Sequence, residues 1–318
     1  MNHLPLVTVI VVNYNGKHFL KDCLNSLANQ TYPQHRVEVI VVDNNSTDGS
    51  AAFLRQEFPW VRTINAGKNL GFAAGNNLGL SIARGEWVAL LNNDAIAEPD
   101  WLQASVESGV LADDIGGVAG HIVFANDPNR INSTGLVVLT DGRGADRDVG
   151  KLDSEVRRPR GEVFGGCGAG LVLRRAMLDE LGLFDPKLFM YYEDLDLAWR
   201  ARSAGWRFVY EPKARVRHVF GGSAGVESPF QNRYVERNRC LVNLRHAPLH
   251  IAVGTVLGGF ARTVRSVWKQ PSSAPATVVN FATTMAMSWR PVLARLQSRC
   301  NRRGLPMSSL RSWIGRGV

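Results

Sequence analysis

The chain has 318 residues, of which 45% are hydrophobic and 20% are charged, as expected for a globular protein that buries a substantial core. Its net charge is +9, and its four cysteines form no C-x-x-C pair, which argues against a disulfide framework and a zinc site. The first five residues lack a signal-peptide pattern. These features predict one large α/β domain, or one with an appendage, in a reducing cytoplasm.

The N-terminal part alternates short apolar runs with amphipathic segments. Residues 7–12 and 37–42 are β-branched runs, typical of strands buried on both faces. A helical pattern separates them, so the two strands are predicted to be parallel. Residues 61–64 and 87–91 are predicted as further strands. Residues 72–83 are predicted as a helix whose first amides face a bound phosphate, or alternatively as a packed helix after a glycine-rich turn.

Polar loops follow these strands at the edge where open α/β sheets bind ligands. Asp43 follows the second strand, and Asp94 follows the strand at residues 87–91. Asp94 can hold a divalent cation that binds a diphosphate, or the polar turn around it can cap the next helix. A dinucleotide site is excluded because residues 13–18 contain one glycine, and the sequence has no P-loop motif.

The middle of the chain is less regular. Residues 115–124 are predicted as a strand. Residues 126–160 are polar, and we interpret them as a substrate-side or mobile loop, with a compact structured segment as the alternative. A glycine patch at residues 164–170 leaves room for a ligand close to the backbone. Within it, Cys167 is expected to be a packed residue because no activating partner is evident.

A second group of acids, Glu193, Asp194 and Asp196, lies in the first turn of a predicted helix. Acids at this position favour the helix dipole, and one of them can also act as a general base toward an acceptor hydroxyl. Two short strands are predicted to follow, and His218 ends the second. Residues 221–223 are predicted as a flexible loop that can close over a bound ligand.

Basic residues concentrate toward the C terminus. Residues 234–318 contain thirteen Lys or Arg and one acid, a net charge of +12, which leaves −3 for residues 1–233. This imbalance suggests an anionic partner, either a membrane surface or nucleic acid, with a solubilising face as the alternative. No recognition motif supports nucleic acid. Arg237–Asn238–Arg239 can approach a phosphate or form a solvated helix face.

Two apolar stretches lie within this basic region. Residues 249–261 are shorter than the roughly 20 residues needed to span a bilayer, so they fit a helix in the membrane interface. Residues 278–296 form a weaker amphipathic run after a break. Helices packed on the catalytic domain or on a twin subunit, as in a homodimer, are the competing interpretation.

Four ordered motifs carry a resemblance to a known family. They are Val-Ile-Val-Val-Asn-Tyr-Asn at 9–15, Val-Asp-Asn-Asn-Ser-Thr-Asp-Gly-Ser at 42–50, Asn-Leu-Gly-Phe-Ala-Ala-Gly-Asn-Asn at 69–77 and Leu-Asn-Asn-Asp at 91–94. The chain resembles family 2 glycosyltransferases, in particular the bacterial rhamnosyltransferase-like branch. The resemblance covers about residues 5–245 and implies a GT-A fold, an α/β Rossmann-like mixed sheet flanked by helices. Residues 1–245 are then the catalytic domain and residues 246–318 a basic, amphipathic helical tail.

The resemblance also implies roles for individual residues. Asp43 matches the acid that contacts the nucleobase. Asp94 matches the last acid of the Asp-x-Asp metal motif, whose first position is an asparagine here, and His218 matches a position that joins the metal, Mg²⁺ or Mn²⁺. Asp194 matches the catalytic base, and Glu193 would orient the acceptor or the base. Further predicted donor-binding residues are Asn13, Asn15, Asn69, Gly71, Asn76, Asn92, Asn93 and Gly166.

The predicted activity is inverting transfer of a sugar from a nucleoside diphosphate sugar, with dTDP-L-rhamnose implied by the resemblance. The predicted acceptor is a hydroxyl of a lipid-linked or cell-surface glycan. The basic tail predicts a peripheral location at the inner face of the cell membrane. A catalytically silent subunit of the same fold that binds sugar nucleotides or glycans is the alternative, and the acids at Asp94 and Asp194 count against it.

Overall fold

The computed structural model describes residues 4–219, 228–269, 274–300 and 310–316, and the predicted loop at residues 221–223 lies outside them. Its strands within these ranges are β1 Val7–Asn13, β2 Val37–Asp43, β3 Arg62–Asn65, β4 Trp87–Leu91, β5 Ala95–Ala97, β6 Ile115–Phe124, β7 Ile131–Ser133, β8 Leu136–Val138, β9 Gly144–Asp146, β10 Gly161–Val163, β11 Gly170–Arg174 and β12 Arg207–His218. The α-helices are α1 Lys17–Ala28, α2 Ser50–Glu57, α3 Gly71–Leu80, α4 Trp101–Gly109, α5 Arg175–Leu181, α6 Glu193–Ser203, α7 Pro229–His246, α8 Leu249–Lys269, α9 Ala274–Met287 and α10 Trp289–Cys300.

Ten strands form one mixed sheet. Its main path runs β10–β12–β6–β11–β4–β1–β2–β3, while β5 pairs with β12 and β7 with β6. The predicted parallel pairing of β1 and β2 is confirmed, and their register places Asn13 opposite Asp43. Strand β4 is parallel to β1 on its other side. The ends of β1, β2 and β4 therefore meet at one edge of the sheet, where the polar loops follow.

The second half of the sheet is mixed in direction. Strand β11 is antiparallel to both β4 and β6, whereas β12 is parallel to β6. Two short strands were predicted where the structure has the single strand β12, whose register shifts between Tyr210 and Arg215. At its end, His218 pairs with Ala95 of β5, the residue after Asp94. This pairing brings two distant parts of the chain to the same edge.

Residues 126–160 form the compact alternative and not a bare loop. They contain β7 and the antiparallel hairpin of β8 and β9, in which Leu136 pairs with Asp146. Every residue from 131 to 138 is buried. These strands are only three residues long, so they show no period-2 pattern that would reveal them in the sequence.

Apolar residues fill both faces of the sheet. Leu20, Leu24 and Leu27 of α1 and Trp101 of α4 pack on one face. Helices α3, α5, α6 and α7 cover the other face, where Trp199 is 1% exposed. Each fully buried leucine contributes roughly 1.5–3 kcal/mol relative to an exposed one.

The predicted tail forms three helices. The apolar stretch at residues 249–261 extends to the 21-residue helix α8, and its Thr255 Oγ1 accepts a hydrogen bond from Asn243 Nδ2 of α7 at 2.9 Å. The run at residues 278–296 is divided between α9 and α10, and Pro291 lies in the first turn of α10. None of the helices in the described ranges is long and apolar enough to cross a membrane.

The last described segment, residues 310–316, returns to the catalytic domain. Ile314 forms a parallel bridge with Val138 of β8, whose carbonyl accepts from Gly315 N at 2.8 Å. The Arg202 guanidinium lies 4.2 Å from the centre of the Trp313 ring. The chain is thus held on the catalytic domain both before α8 and after α10.

Candidate active site

A cavity of about 820 Å³ opens at the carboxyl ends of β1 and β4. Asp94 and Asp194 both line it, although they are a hundred positions apart in the sequence. Other residues that line it are Tyr14, Asn44, Asn69, Gly71, Asn92, Asn93, Asn132, Arg143, Asp146, Gly168, Phe189, Tyr191, Tyr192, Glu193, His218 and Gln231. The two acids predicted to act in one reaction therefore share one cavity.

Asp94 and His218 form a buried pair on one wall. Asp94 Oδ1 lies 3.2 Å from His218 Nε2, and both side chains are less than 10% exposed. The other ring nitrogen, Nδ1, lies 2.9 Å from Asn132 Oδ1. Since an amide oxygen only accepts, this contact favours the tautomer with the proton on Nδ1. The Nε2 lone pair then faces the Asp94 carboxylate.

This pair suits a divalent cation. An imidazole nitrogen and a carboxylate oxygen that face each other are both ligands of Mn²⁺ or Mg²⁺. Asn92 Oδ1 is buried beside them without a hydrogen-bond partner, while Asn92 Nδ2 lies 3.1 Å from His218 Nε2. The described residues contain no group of three His, Cys, Asp or Glu side chains able to hold a metal. Water and diphosphate oxygens would have to complete the coordination shell.

Asp194 and Glu193 lie at the start of α6 and line the same cavity. Asp194 Oδ1 accepts from Leu195 N at 2.8 Å, and Oδ2 accepts from Gly168 N at 3.3 Å. Burial, followed by the negative charge of Asp146, raises the pKa of Asp194 from 3.8 to about 6. Burial also raises the pKa of Glu193 well above its ordinary value. A carboxylate that titrates near neutral pH has the basicity that a general base needs.

Asn13, Asp43 and Asn93 form a hydrogen-bonded row behind the cavity. Asn93 Nδ2 donates to Asn13 Oδ1 at 2.8 Å, and Asn13 Nδ2 donates to Asp43 Oδ1 at 3.2 Å. Asp43 also accepts from Ser46 Oγ at 2.5 Å. Asn15 Oδ1 accepts from a backbone N–H of the loop that contains Ser46. Of this row only Asn93 lines the cavity, and contact of Asp43 with a nucleobase stays a prediction.

The other predicted donor residues divide into two groups. Asn69 and Gly71 line the cavity, and Asn69 Oδ1 accepts from Gly71 N at 2.9 Å. Asn76 and Gly166 do not line it. Asn76 Nδ2 donates to the Phe72 carbonyl of its own helix, and a Cβ on Gly166 would lie 2.5 Å from a Leu171 methyl group. Asn76 and Gly166 therefore pack inside the domain in this structure.

Two polar residues of the site escaped the sequence analysis. Asn132 of β7 orients His218, and Asp146 of β9 lines the cavity, where its charge acts on Asp194. Asp146 Oδ1 is buried without a hydrogen-bond partner, and burial raises the pKa of this carboxyl. Both residues lie in the stretch interpreted as a loop, and neither belongs to a motif with a recognisable spacing.

Comparison with known proteins identifies the family. The profile described as "Glycosyl transferase family 2" matches residues 8–182, more than half of the chain. The chain is a family 2 glycosyltransferase. An N-acetylglucosaminyl-diphospho-decaprenol L-rhamnosyltransferase of Mycobacterium tuberculosis is 30% identical over 250 residues, which cover 69% of this chain and 78% of that protein. Glycosyltransferase AglE of Haloferax volcanii is 34% identical over 212 residues, which cover 65% of this chain and 64% of that protein.

Solved structures confirm the GT-A fold. GalNAc-T7 with UDP, GalNAc and Mn²⁺ has a TM-score of 0.61 at 15% identity, covering 77% of this glycosyltransferase and 48% of that chain. TarS 1-349 of S. aureus has a TM-score of 0.57 at 19% identity, and the match covers 89% of this glycosyltransferase and 80% of that chain. Mannosyltransferase PcManGT from Pyrobaculum calidifontis, with GDP-Man and Mn²⁺, has a TM-score of 0.54 at 19% identity. The match covers 94% of this glycosyltransferase and 87% of that chain.

Proposed function

We propose that this glycosyltransferase moves a sugar, L-rhamnose from dTDP-L-rhamnose, onto a hydroxyl of a lipid-linked glycan with inversion at the anomeric carbon. The observation that carries the proposal is that the Asp94–His218 pair and Asp194 line the same cavity. The identity of the sugar and acceptor is supported by the M. tuberculosis relative, whose name specifies an L-rhamnosyltransferase acting on a diphospho-decaprenol-linked sugar.

In the proposed reaction, Asp194 takes the proton of the acceptor hydroxyl as its oxygen attacks the anomeric carbon. The new C–O bond forms on one face of the sugar while the bond to the diphosphate breaks on the other, so the configuration inverts. Asp94 and His218 would hold a divalent cation, which when bound neutralises charge on the leaving diphosphate. Glu193 lines the same cavity, and its buried Oε2 has no hydrogen-bond partner, so this side chain can orient the acceptor.

Two variants test these roles separately. Asp194→Asn should reduce turnover by about 100-fold or more, because loss of a positioned base removes typically 10²–10⁴-fold, while binding of dTDP-L-rhamnose stays near normal. Asp94→Ala should weaken donor binding in the presence of Mn²⁺ and leave binding without metal unchanged. Calorimetry and release of dTDP measure both quantities.

The outcomes discriminate between the hypotheses. Loss of donor binding in Asp194→Asn would contradict its role as the base, and unchanged activity in Asp94→Ala would contradict its role as a metal ligand. A silent binding subunit would bind the donor but release no dTDP with any acceptor. Release from another nucleotide sugar, and not from dTDP-L-rhamnose, would overturn the proposed donor.

We also propose that α8 lies on an anionic membrane surface, where a lipid-linked acceptor would be found. Its exposed apolar side chains fall within an arc of about 100° at 3.6 residues per turn. They are Leu249, Val253, Leu257, Phe260, Val264, Val267 and Trp268, each more than 40% exposed. Residues 246–318 contain ten Lys or Arg and no acid. Such a surface attracts anionic lipids, and a second copy with the same charge would be repelled.

Sedimentation with vesicles tests this surface. Leu257→Asp with Phe260→Asp should abolish binding to phosphatidylcholine vesicles that contain phosphatidylglycerol. Leu111→Asp is the control, because Leu111 is similarly exposed but lies on the catalytic domain. Binding should fall at high salt and without the anionic lipid. If the double variant still binds, or if it instead converts a dimer to a monomer in light scattering, the membrane assignment is wrong.

A further inference from the structure

The segment just before the Glu193–Asp194 pair has an unusual backbone. Phe189, Tyr191 and Tyr192 have φ angles of 65°, 70° and 70°. Left-handed φ is unfavourable for residues with a Cβ, most of all for bulky ones, and it persists only where the surrounding structure enforces it. These residues line the cavity, so the strained segment shapes the wall that presents Asp194.

Asn238 of α7 makes the contacts that hold this segment. Its Nδ2 lies 2.8, 2.9 and 2.7 Å from the carbonyl oxygens of Leu188, Met190 and Tyr191. Its Oδ1 accepts from Arg237 Nε at 2.9 Å, which fixes the orientation of the amide. Asn238 is 0% exposed, so no water can replace these donors.

Neighbouring contacts act on the same segment. Arg237 Nη2 donates to the carbonyls of Lys187 and Leu188 at 2.9 Å. The Phe189 ring stacks on Tyr234 of α7 at 5.1 Å, and its carbonyl accepts from Ala73 N of α3 at 3.0 Å. The segment is therefore held between α7 and α3, with its curvature set by one buried amide.

We propose that Asn238 is a positioning residue: through the carbonyls at 188, 190 and 191 it sets the backbone that places Asp194 in the cavity. This inference rests on the proposed role of Asp194 as the base. Without the Asn238 amide the carbonyls of Met190 and Tyr191 lose this donor, while the Leu188 carbonyl keeps Arg237 Nη2. The left-handed residues then relax, and the start of α6 shifts. Misplacement of a catalytic group by about 1 Å reduces the rate about 100-fold.

The pH dependence gives a readout that loss of stability alone would not change. The charged or titratable groups around Asp194 are Glu193 and Asp196 on its own helix, Asp146 on β9 and Cys167 on the loop before β11. A neutral replacement of Asn238 changes the charge of none of them, so a movement of the limb would report a change in the position or hydration of Asp194. If the segment relaxes and water reaches Asp194, its pKa falls from about 6 toward 3.8. The acid limb of kcat/KM for the acceptor then moves to lower pH.

The decisive variant is Asn238→Leu, which keeps the volume, removes the donors and adds no charge. We expect kcat to fall about 100-fold, as for a misplacement of about 1 Å, with the acid limb moved to lower pH. Asn243→Leu is the matched control, because Asn243 is equally buried on α7 but donates to Thr255 of α8. It should lower the unfolding temperature without moving the limb.

A milder change covers the case in which Asn238→Leu does not fold. Arg237→Lys keeps the charge, but the lysine cannot donate in the arginine's geometry to both carbonyls and to the Asn238 amide oxygen at once. The variant should move the acid limb of kcat/KM to lower pH, by a smaller amount than Asn238→Leu. A folded Asn238→Leu or Arg237→Lys protein with an unmoved limb and normal kcat would overturn the inference. Full activity in Asp194→Asn would instead overturn the proposed function, so the two failures are distinguishable.

Discussion

The carboxylate of Asp146 should tune the basicity of Asp194, and Asp146→Asn tests this directly. The variant removes a negative charge from the cavity and keeps nearly the same shape. Burial and the Asp146 charge, in that order, raise the pKa of Asp194 from 3.8 to about 6. Because the charge acts in the same direction as burial, its removal should lower this pKa, and we take a fall of about 1 unit as the working magnitude.

The expected effect can be expressed as a rate. With a pKa of about 6, roughly 9% of Asp194 is ionised at pH 5, and with a pKa of about 5 roughly 50% is ionised. The rate at pH 5, relative to its own plateau near pH 8, should therefore rise up to about fivefold. The plateau itself can fall if Asp146 contacts the sugar, but the position of the limb is independent of that loss.

The assay is dTDP release measured between pH 4.5 and 8.5 as kcat/KM for the acceptor, with thermal unfolding followed at each pH. Asp179→Asn is the control, since Asp179 is 61% exposed and pairs with Arg175 away from the cavity. A limb that stays near pH 6 in Asp146→Asn, or moves to higher pH, would refute the electrostatic coupling of the two acids.

Two further predictions concern stability and the cavity wall. The fully buried Asp196 accepts from Arg200, Arg245 and His246, and although burial acts to raise its pKa, these partners hold it well below the ordinary range. Asp196→Asn should lower the unfolding free energy by roughly 3–5 kcal/mol at pH 7, and this difference should shrink as the pH falls below about 4; a constant difference in urea titrations would contradict it. Gly71→Ala should impair donor binding, because its φ is 75° and a Cβ would lie 2.5 Å from Phe189. Gly67→Ala is the control, because Gly67 has a φ of 71° but open space around it. Both variants should lose roughly 1–2 kcal/mol of stability from the left-handed φ, but Gly67→Ala should keep donor binding. Equal donor binding in the two variants would contradict the proposed clash.

The parallel part of the fold follows from the sequence. A strand buried on both faces has to be a continuous run of apolar, β-branched residues, and β1, β2 and β4 are such runs. Their polar successors meet at one edge because the strands are parallel. For this reason the position of Asp94 at the edge of the sheet could be predicted from the sequence.

The rest of the site depends on pairings between strands that are distant in the sequence. Asn132 reaches His218 because β7 and β12 both pair with β6, and Asp146 reaches the cavity through the hairpin of β8 and β9. Strands of three residues carry no periodic signal, so the sequence could indicate neither.

The role of α7 also differs from both sequence interpretations. Arg237 and Asn238 were predicted either to approach a phosphate or to form a solvated face. They instead donate to backbone carbonyls between residues 187 and 191, and Asn238 is fully buried. Sequence patterns do not reveal such a role, because the unusual φ angles of the partner segment occur at aromatic residues and not at glycines.

The return of residues 310–316 to the catalytic domain has a practical consequence for work with this enzyme. Ile314 pairs with Val138 in β8, and the partner strand of β8 carries Asp146 into the cavity. Residues 310–316 are thus one strand away from the active-site wall. Affinity tags or deletions at this end act on the support of that wall, so an N-terminal tag is the safer design for kinetic experiments.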